Sequence, residues 1–279
     1  MDNVVVTGGG GFIGRALIEA LEQEGYNAWS LDRPAYDIRC VDDLDLMFAD
    51  ADAVIHLAGV LGTHELFDTI DLAVDVNIVG TLRVLEAAVR HGMGYVGITM
   101  PQVFPSIYTA TKIGAGALTT AFHHNWGLPV SHVRAFNAFG PGQAWGEGHP
   151  RKIVPDFAVR AWRNQPIQIW GDGEQTVDLI HTSELAKVLT QALLVTDNTV
   201  IDGGTGYAMT VNQVAEFVLQ YTESTAGIEY LPMRRGEVPT NIVAEGEGWS
   251  RLDQLPSFNP TDLANTVEWY RQIAESDNQ

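Results

Sequence analysis

The chain is 279 residues long, is 46% hydrophobic and sets 35 Asp and Glu against 16 Lys and Arg, for a formal net charge of -19 at pH 7. That size and apolar content support one large domain or two modest ones, and the acidity, with no run of Lys or Arg, excludes a partner held through a phosphate backbone, so no nucleic acid is expected. A single cysteine, Cys40, excludes an intrachain disulfide, no apolar run approaches the roughly 20 residues that span a bilayer, and the N-terminus carries no charged and apolar leader; together these point to a cytoplasmic chain without a membrane partner.

In chain order, Asn3 to Thr7 is a β-branched run that ends in four glycines, and Phe12 to Leu21 carries helical spacing that stops near Gly25. Ala28 to Leu31 reads as a strand, Val41 to Asp50 as a helix, Ala53 to Leu57 as a buried strand and about Glu65 to His91 as a long helix. Tyr95 to Ile98 is then a strand, Tyr108 to Trp126 a helix and Pro129 to Val133 a strand. Strands alternating with helices predict an α/β fold with a doubly wound parallel sheet, covered on both faces.

After Phe139-Gly-Pro-Gly142 the rhythm loosens, with a helix near Ile153 to Arg163 and a strand at Ile167 to Trp170, which predicts a smaller C-terminal substrate-binding lobe. The expected division is 1–138 for the dinucleotide-binding half and 139–279 for the smaller lobe. Residues 176–222 are expected to return in part to the first half, because Thr199 to Gly204 reads as one more sheet strand and Val211 to Tyr221 as a helix able to pack beside it. Ligands of open α/β sheets bind outside the carboxyl ends of the strands, which puts the cleft between the lobes.

Gly8, Gly11 and Gly14 stand at GxxGxxG spacing where the first strand turns into the first helix. Glycines there permit a tight turn and close approach of backbone to a pyrophosphate, which the helix N-terminus stabilises; Phe12 and Ile13 belong to the same cofactor-binding turn. The second strand ends at Asp32, the expected position for an acid that accepts from ribose hydroxyls and repels a 2'-phosphate, favouring NAD. Arg33 leaves NADP open, since its guanidinium could pair with that phosphate.

Tyr108 and Lys112 are i and i+4 neighbours on one helical face. A nearby ammonium favours phenolate, moving Tyr108 from a pKa of about 10 toward a useful acid/base. A third polar group is expected near the pair; Thr99 is the candidate, Ser106 belonging to the approach to the helix. His123-His124 lacks further ligands at metal spacing, so no metal is expected.

These motifs together resemble the extended short-chain dehydrogenase/reductases, specifically the NAD-dependent nucleotide-sugar epimerase/dehydratase family with its Rossmann domain. The likeness runs through TGGGGFIG (7–14), LD (31–32), DI (37–38), HLAG (56–59), DVNIVGTLRVLEAA (75–88), YTATK (108–112), RAFNAFGPGQ (134–143), IWGDGEQTVDLIHTSELA (169–186) and RRGE (234–237). It implies that Gly8, Gly11 and Gly14 hold the pyrophosphate, Asp32 the ribose, and Asp37 with Ile38 the adenine edge. Leu57, Ala58, Gly59 and Asn77 are implied on the cofactor side, with Tyr108 as acid/base and Lys112 on the nicotinamide ribose. Asn137, Trp170 and Arg235 are implied to face a nucleotide-sugar, a UDP-sugar being favoured, and the long helices to pair in a homodimer.

Three departures from the family pattern bear on substrate. Aligning Phe104 with the family's aromatic puts Met100 where a Ser or Thr is usual, and Thr99 is one residue off, which alternation along a strand aims away from the cleft unless a bulge restores it. Only eight residues separate Thr99 from Tyr108, which predicts an open site. Val177 replaces an arginine that commonly holds the diphosphate, leaving that charge to Arg235 with help from Arg151. The Thr-Asp-Glu signature of 4,6-dehydratases is missing, since Met100-Pro101-Gln102 offers no carboxylic acid. The leading expectation is an NAD-dependent nucleotide-sugar 4-epimerase acting through a transient 4-keto sugar. A ketoreductase or dehydrogenase of the same fold, and a non-catalytic dinucleotide-binding protein, are the alternatives.

Overall fold

Val4, Val5 and Val6 are fully buried in strand β1 (Asn3–Thr7), which lies inside a six-stranded parallel sheet. Each such side chain contributes about 1.5–3 kcal/mol by leaving water. The computed structural model describes residues 1–101 and 103–276, so Gln102 beside Met100, and the last three residues of the expected smaller lobe, lie outside the described residues. The sheet runs β2 (Asn27–Leu31), β1, β3 (Ala53–His56), β4 (Gly94–Thr99), β5 (Val130–Ala135), β9 (Asp197–Gly203). Between them the chain forms α1 (Phe12–Gln23), α2 (Val41–Phe48), α3 (Ile70–Val74), α4 (Thr81–His91), α5 (Ile107–Trp126) and α7 (Thr182–Ala192). β1 has β2 on one side and β3 on the other, so the connections leaving β1 and β3 diverge and open a crevice at their carboxyl ends.

The long helix expected from Glu65 begins instead at Ile70, then passes through a π-helical segment, Asp75–Gly80, before α4. Residues 62–69 close into turns because Gly62 takes φ +131° and the Glu65 carboxylate accepts from the Thr63 N–H at 3.1 Å. Gly92, at φ +69°, ends α4 in the left-handed cap that glycine favours.

The smaller lobe has its own core, with Phe139, Phe157, Ile167, Val214, Leu263 and Tyr270 among its buried members. It contains β6 (Asn137–Phe139), α6 (Ile153–Trp162), β7 (Ile167–Trp170), β8 (Thr176–His181), β10 (Ala208–Thr210), α8 (Val211–Thr222), β11 (Ile228–Leu231) and α9 (Pro260–Ser276). α7 returns to pack on α1, and β9 pairs in parallel with β5. α8 does not return as expected. It starts on a capping box, Thr210 with Gln213, directly after β10 pairs antiparallel with β8, and its Val214, Ala215 and Val218 fill the second core. Two buried carboxylates then stitch the segment around residues 244–247 to both lobes. Asp202 of β9 accepts from the backbone N–H groups of Glu245, Gly246 and Glu247, and Asp178 of β8 accepts from those of Thr205, Gly206 and Ala244. No helix among the described residues is long and apolar enough to cross a membrane.

Candidate active site

A cleft of about 570 Å³ opens at the carboxyl ends of β1, β3 and β4, between the two lobes. Its floor is the glycine turn. Gly8 sits at φ +77°, where a Cβ would stand 2.8 Å from the Ala58 nitrogen, and a Cβ on Gly14 would lie 2.2 Å from the Gly8 carbonyl oxygen. Only glycine lets β1, the turn and the loop after β3 come this close. Phe12 and Ile13 line the cleft beside Gly8, Gly11 and Gly14, and Leu57, Ala58 and Gly59 form the facing wall.

At the end of β2 the Asp32 carboxylate accepts from the Gly10 N–H at 2.7 Å and from the Ser30 hydroxyl, so it is aimed over the turn. Arg33, Asp37 and Ile38 also line the cleft. Arg39, which the sequence reading passed over, lines it too and bridges Asp37 at 2.7 Å and Asp75 at 2.6 Å. Its hydrogen bond holds the Asp37 carboxyl well below the usual range, at about 2. A charged pair therefore fixes the part of the cleft lining that follows β2.

Tyr108 and Lys112 both reach the cleft from the first turns of α5. Ser106 is the N-cap of that helix, its hydroxyl oxygen accepting from the Thr109 N–H at 3.1 Å, and it does not line the cleft. Burial pushes Lys112 down to about 8 and Tyr108 up to about 12. This corrects the expectation that a nearby ammonium lowers Tyr108 toward neutrality: burial instead disfavours its phenolate and moves it the other way. Among the described residues, Lys112 has no carboxylate partner.

Beside Lys112 lies His56, itself buried, held neutral by burial and then by the Lys112 charge, with its pKa lowered to about 3. The hydrogen bonds assign its tautomer. Thr81 spends its only hydroxyl proton on the Asn77 carbonyl at 2.8 Å, so it accepts from His56 Nε2–H at 3.0 Å, and His56 Nδ1 accepts from the Thr7 hydroxyl at 2.7 Å. Thr7 in turn accepts from the Ala58 N–H at 3.3 Å. One polar chain thus joins β1, the loop after β3 and the π-helical segment.

Four expected site residues are not on the cleft wall. Thr99 is the first: Ile98 and Met100 line the cleft, whereas a Cβ built on Gly116 of α5 would lie 3.7 Å from Thr99 Oγ1. Strand alternation holds to the end of β4 and no bulge re-aims the hydroxyl. Asn77 is the second. It is buried beneath the wall, accepting from the Val60 N–H at 2.9 Å and donating to the Val60 carbonyl at 3.1 Å and to Thr111 Oγ1 at 3.0 Å. Asn137 does line the cleft, but Trp170 lines a second cavity of about 140 Å³ alongside it, with the guanidinium carbons of Arg151 and Arg234 at 5.1 and 4.7 Å from its ring centroid. Arg235 lines neither cavity; it is exposed and lies over the Phe67 ring at 5.5 Å. Val177 faces the core of the smaller lobe. Lys152 is another residue the sequence did not single out: it lines both cavities, and its only signal was its rarity, being one of three lysines.

The fold and this cleft define a dinucleotide-binding protein with a Tyr-Lys pair on the cleft lining. The profile of the NAD dependent epimerase/dehydratase family matches residues 4–203, and the chain belongs to that family. It is 27% identical to UDP-glucuronate 4-epimerase of Thermodesulfobacterium geofontis, over 99% of this chain and 98% of that one. It is 28% identical to dTDP-glucose 4,6-dehydratase of Streptomyces niveus, over 96% and 92% respectively. Among solved structures it resembles UDP-glucose 4-epimerase of Thermotoga maritima with UDP-glucose, at a TM-score of 0.87 and 25% identity, over 97% of this chain and 99% of that one. The residues present fit NAD. The turn leaves no room for a Cβ at Gly8 or Gly14, and the Asp32 carboxylate already engages the turn's N–H at the place where a ribose diol would compete for it.

Proposed function

We propose that this protein is a nucleotide-sugar 4-epimerase that works by transient oxidation at C4, with a UDP-sugar as substrate. The observation that carries the reading is the placement of Tyr108 and Lys112 in the same cleft as the glycine turn and Asp32. NAD, when bound, supplies the acceptor and donor of hydride. Tyr108 Oη takes the proton of the sugar 4-hydroxyl and returns it after the 4-keto sugar has turned over. Lys112, one turn along the same helix and without a carboxylate partner among the described residues, is placed to stabilise the phenolate. Among the described residues lining the cleft the only carboxylates are Asp32 and Asp37, which follow β2 at the edge of the sheet, whereas Tyr108 follows β4. That speaks against 4,6-dehydration, which needs a carboxylic acid next to the tyrosine for loss of water.

The test is to incubate the protein and NAD with UDP-glucose, UDP-glucuronate and their 4-epimers and follow both sugars by chromatography. Interconversion without net NADH is expected, and Tyr108→Phe is expected to lower it by about 10²–10⁴-fold while leaving bound NAD unchanged. Stoichiometric NADH would transfer the protein to the dehydrogenases, and binding of UDP-sugars with no interconversion would sink the reading. A homodimer is part of the same proposal, supported by Ile70 and Val74 of α3 and Ile113 of α5, large apolar side chains left exposed on elements that touch each other. Sedimentation at micromolar concentration separates it from a monomer.

A further inference from the structure

Lys152 immediately precedes α6, and its side chain is partly buried where the main cleft meets the smaller Trp170 cavity. Among the described residues its ammonium has no ion pair and no hydrogen bond. Glu65 and Arg234 are the charged groups that face it, with opposite effects, and burial lowers its pKa. An ammonium so placed is costly unless a ligand completes it. The next two residues, Ile153 and Val154, open the helix and line the cleft, so their backbone N–H groups, which have no partner within the helix, belong to the same junction.

A ligand that reaches from Tyr108 to Trp170 must pass this junction, and there it meets Lys152 with Arg151 and Arg234 alongside, three of the 16 Lys and Arg of a strongly acidic chain. We infer that Lys152 is the principal anchor of the diphosphate that links base and sugar in the substrate, in place of the arginine that Val177 displaces and of Arg235. The inference rests on the nucleotide-sugar reading of the cleft but not on the epimerase reaction. Val177 faces an apolar core and Arg235 lines neither cavity, so neither can serve without rearrangement. Arg151 and Arg234 lie over the Trp170 indole, and Arg234 is also paired with Glu237 at 2.6 Å, so both are already engaged.

Calorimetric titration of the NAD-loaded protein with UDP and with uridine tests this, using Lys152→Met, Lys152→Arg and Arg235→Ala. Lys152→Met is expected to weaken UDP by about 10–100-fold while leaving uridine within about twofold, Lys152→Arg to recover most of the loss, and Arg235→Ala to bind UDP nearly as the parent does. Unchanged NAD content and melting temperature in Lys152→Met show that the fold and the cofactor turn are intact. UDP affinity that survives Lys152→Met, or a loss shared equally by uridine, overturns the assignment. If Lys152 governs UDP binding but no sugar is epimerised, the anchor stands and the proposed reaction falls; if epimerisation occurs and Lys152→Met binds UDP normally, the reverse holds.

Discussion

The side-chain amide of Asn77 clasps the backbone of Val60 from both sides, accepting from its N–H at 2.9 Å and donating to its carbonyl at 3.1 Å. The second amide proton reaches Thr111 Oγ1 at 3.0 Å, and the Thr111 hydroxyl donates to the Tyr108 carbonyl at 2.9 Å. An amide is needed here, because one atom must accept and the other must donate twice. Asn77→Asp is nearly isosteric but sets a carboxylate oxygen against the Val60 carbonyl in a buried site. It is expected to destabilise the protein by about 3 kcal/mol, measured by urea unfolding at pH 7. Stability equal to the parent would mean that the clasp contributes nothing.

The glycine turn makes a second prediction through contrast. A Cβ at Gly14 meets the Gly8 carbonyl at 2.2 Å and Gly9 Cα at 2.5 Å, so Gly14→Ala must spread the turn that is to receive the cofactor. Gly25, at φ +88°, has nothing within 4 Å of its Cβ position, so Gly25→Ala carries only the backbone cost of about 1 kcal/mol. Fluorescence titration with NADH is expected to show near-complete loss of binding for Gly14→Ala and an unaltered affinity for Gly25→Ala. Equal affinities would remove the turn from the cofactor site.

His56 makes stability depend on pH on the acid side. Burial lowers its folded pKa from 6.5 to about 3, so the unfolded chain takes up a proton below 6.5 that the folded protein refuses. Its contribution is therefore complete above pH 6.5 and is lost as pH falls toward 3, with a slope approaching about 1.4 kcal/mol per pH unit. His132 and His181 are shifted in the same direction, also chiefly by burial, and add to the loss. His56→Gln is expected to be less stable than the parent at pH 7 but to lose stability less steeply between pH 6.5 and 4, followed by denaturant unfolding at fixed ionic strength. Parallel slopes for the two proteins would show that His56 does not titrate on unfolding.

The sheet was legible because strands such as β1 and β3 are short apolar runs beside a helical period, and Gly8, Gly14 and Asp32 stand out by spacing. What misled was local chemistry that spacing does not encode. The helix before the π segment starts at Ile70 because Gly62 and Glu65 close turns first. Helix α8 stays in the smaller lobe because β10 pairs with β8 just before it, a long-range contact that no window of sequence contains. Asn77 carries the family motif yet acts beneath the wall, and Arg39 and Lys152 carry no motif yet stand on it. Motif membership reports where a residue sits along the chain; which way its side chain points is settled by packing.

Thr99 and Met100 turn that distinction into a final prediction. Met100 lines the cleft with Tyr108, and its thioether is at best a weak acceptor, so in the proposed reaction this position offers no hydroxyl donor to the sugar oxygen on which charge develops as the proton leaves. Thr99 carries the hydroxyl but directs it toward Gly116, behind the wall. An enzyme so arranged should be slow, and slow for one reason. Met100→Ser shortens a side chain at the open cleft rather than in the core, so it costs little packing and places a hydroxyl on the reacting side. It is expected to raise kcat for 4-epimerisation by about tenfold with NAD binding unchanged. Thr99→Ala, which removes a hydroxyl the cleft does not see, is expected to leave kcat within about twofold, any loss being one of stability from the face packed against α5. The two variants measured side by side in the epimer assay decide the matter: a rate lost in Thr99→Ala and not gained in Met100→Ser would show that the strand end rearranges to bring Thr99 to the substrate.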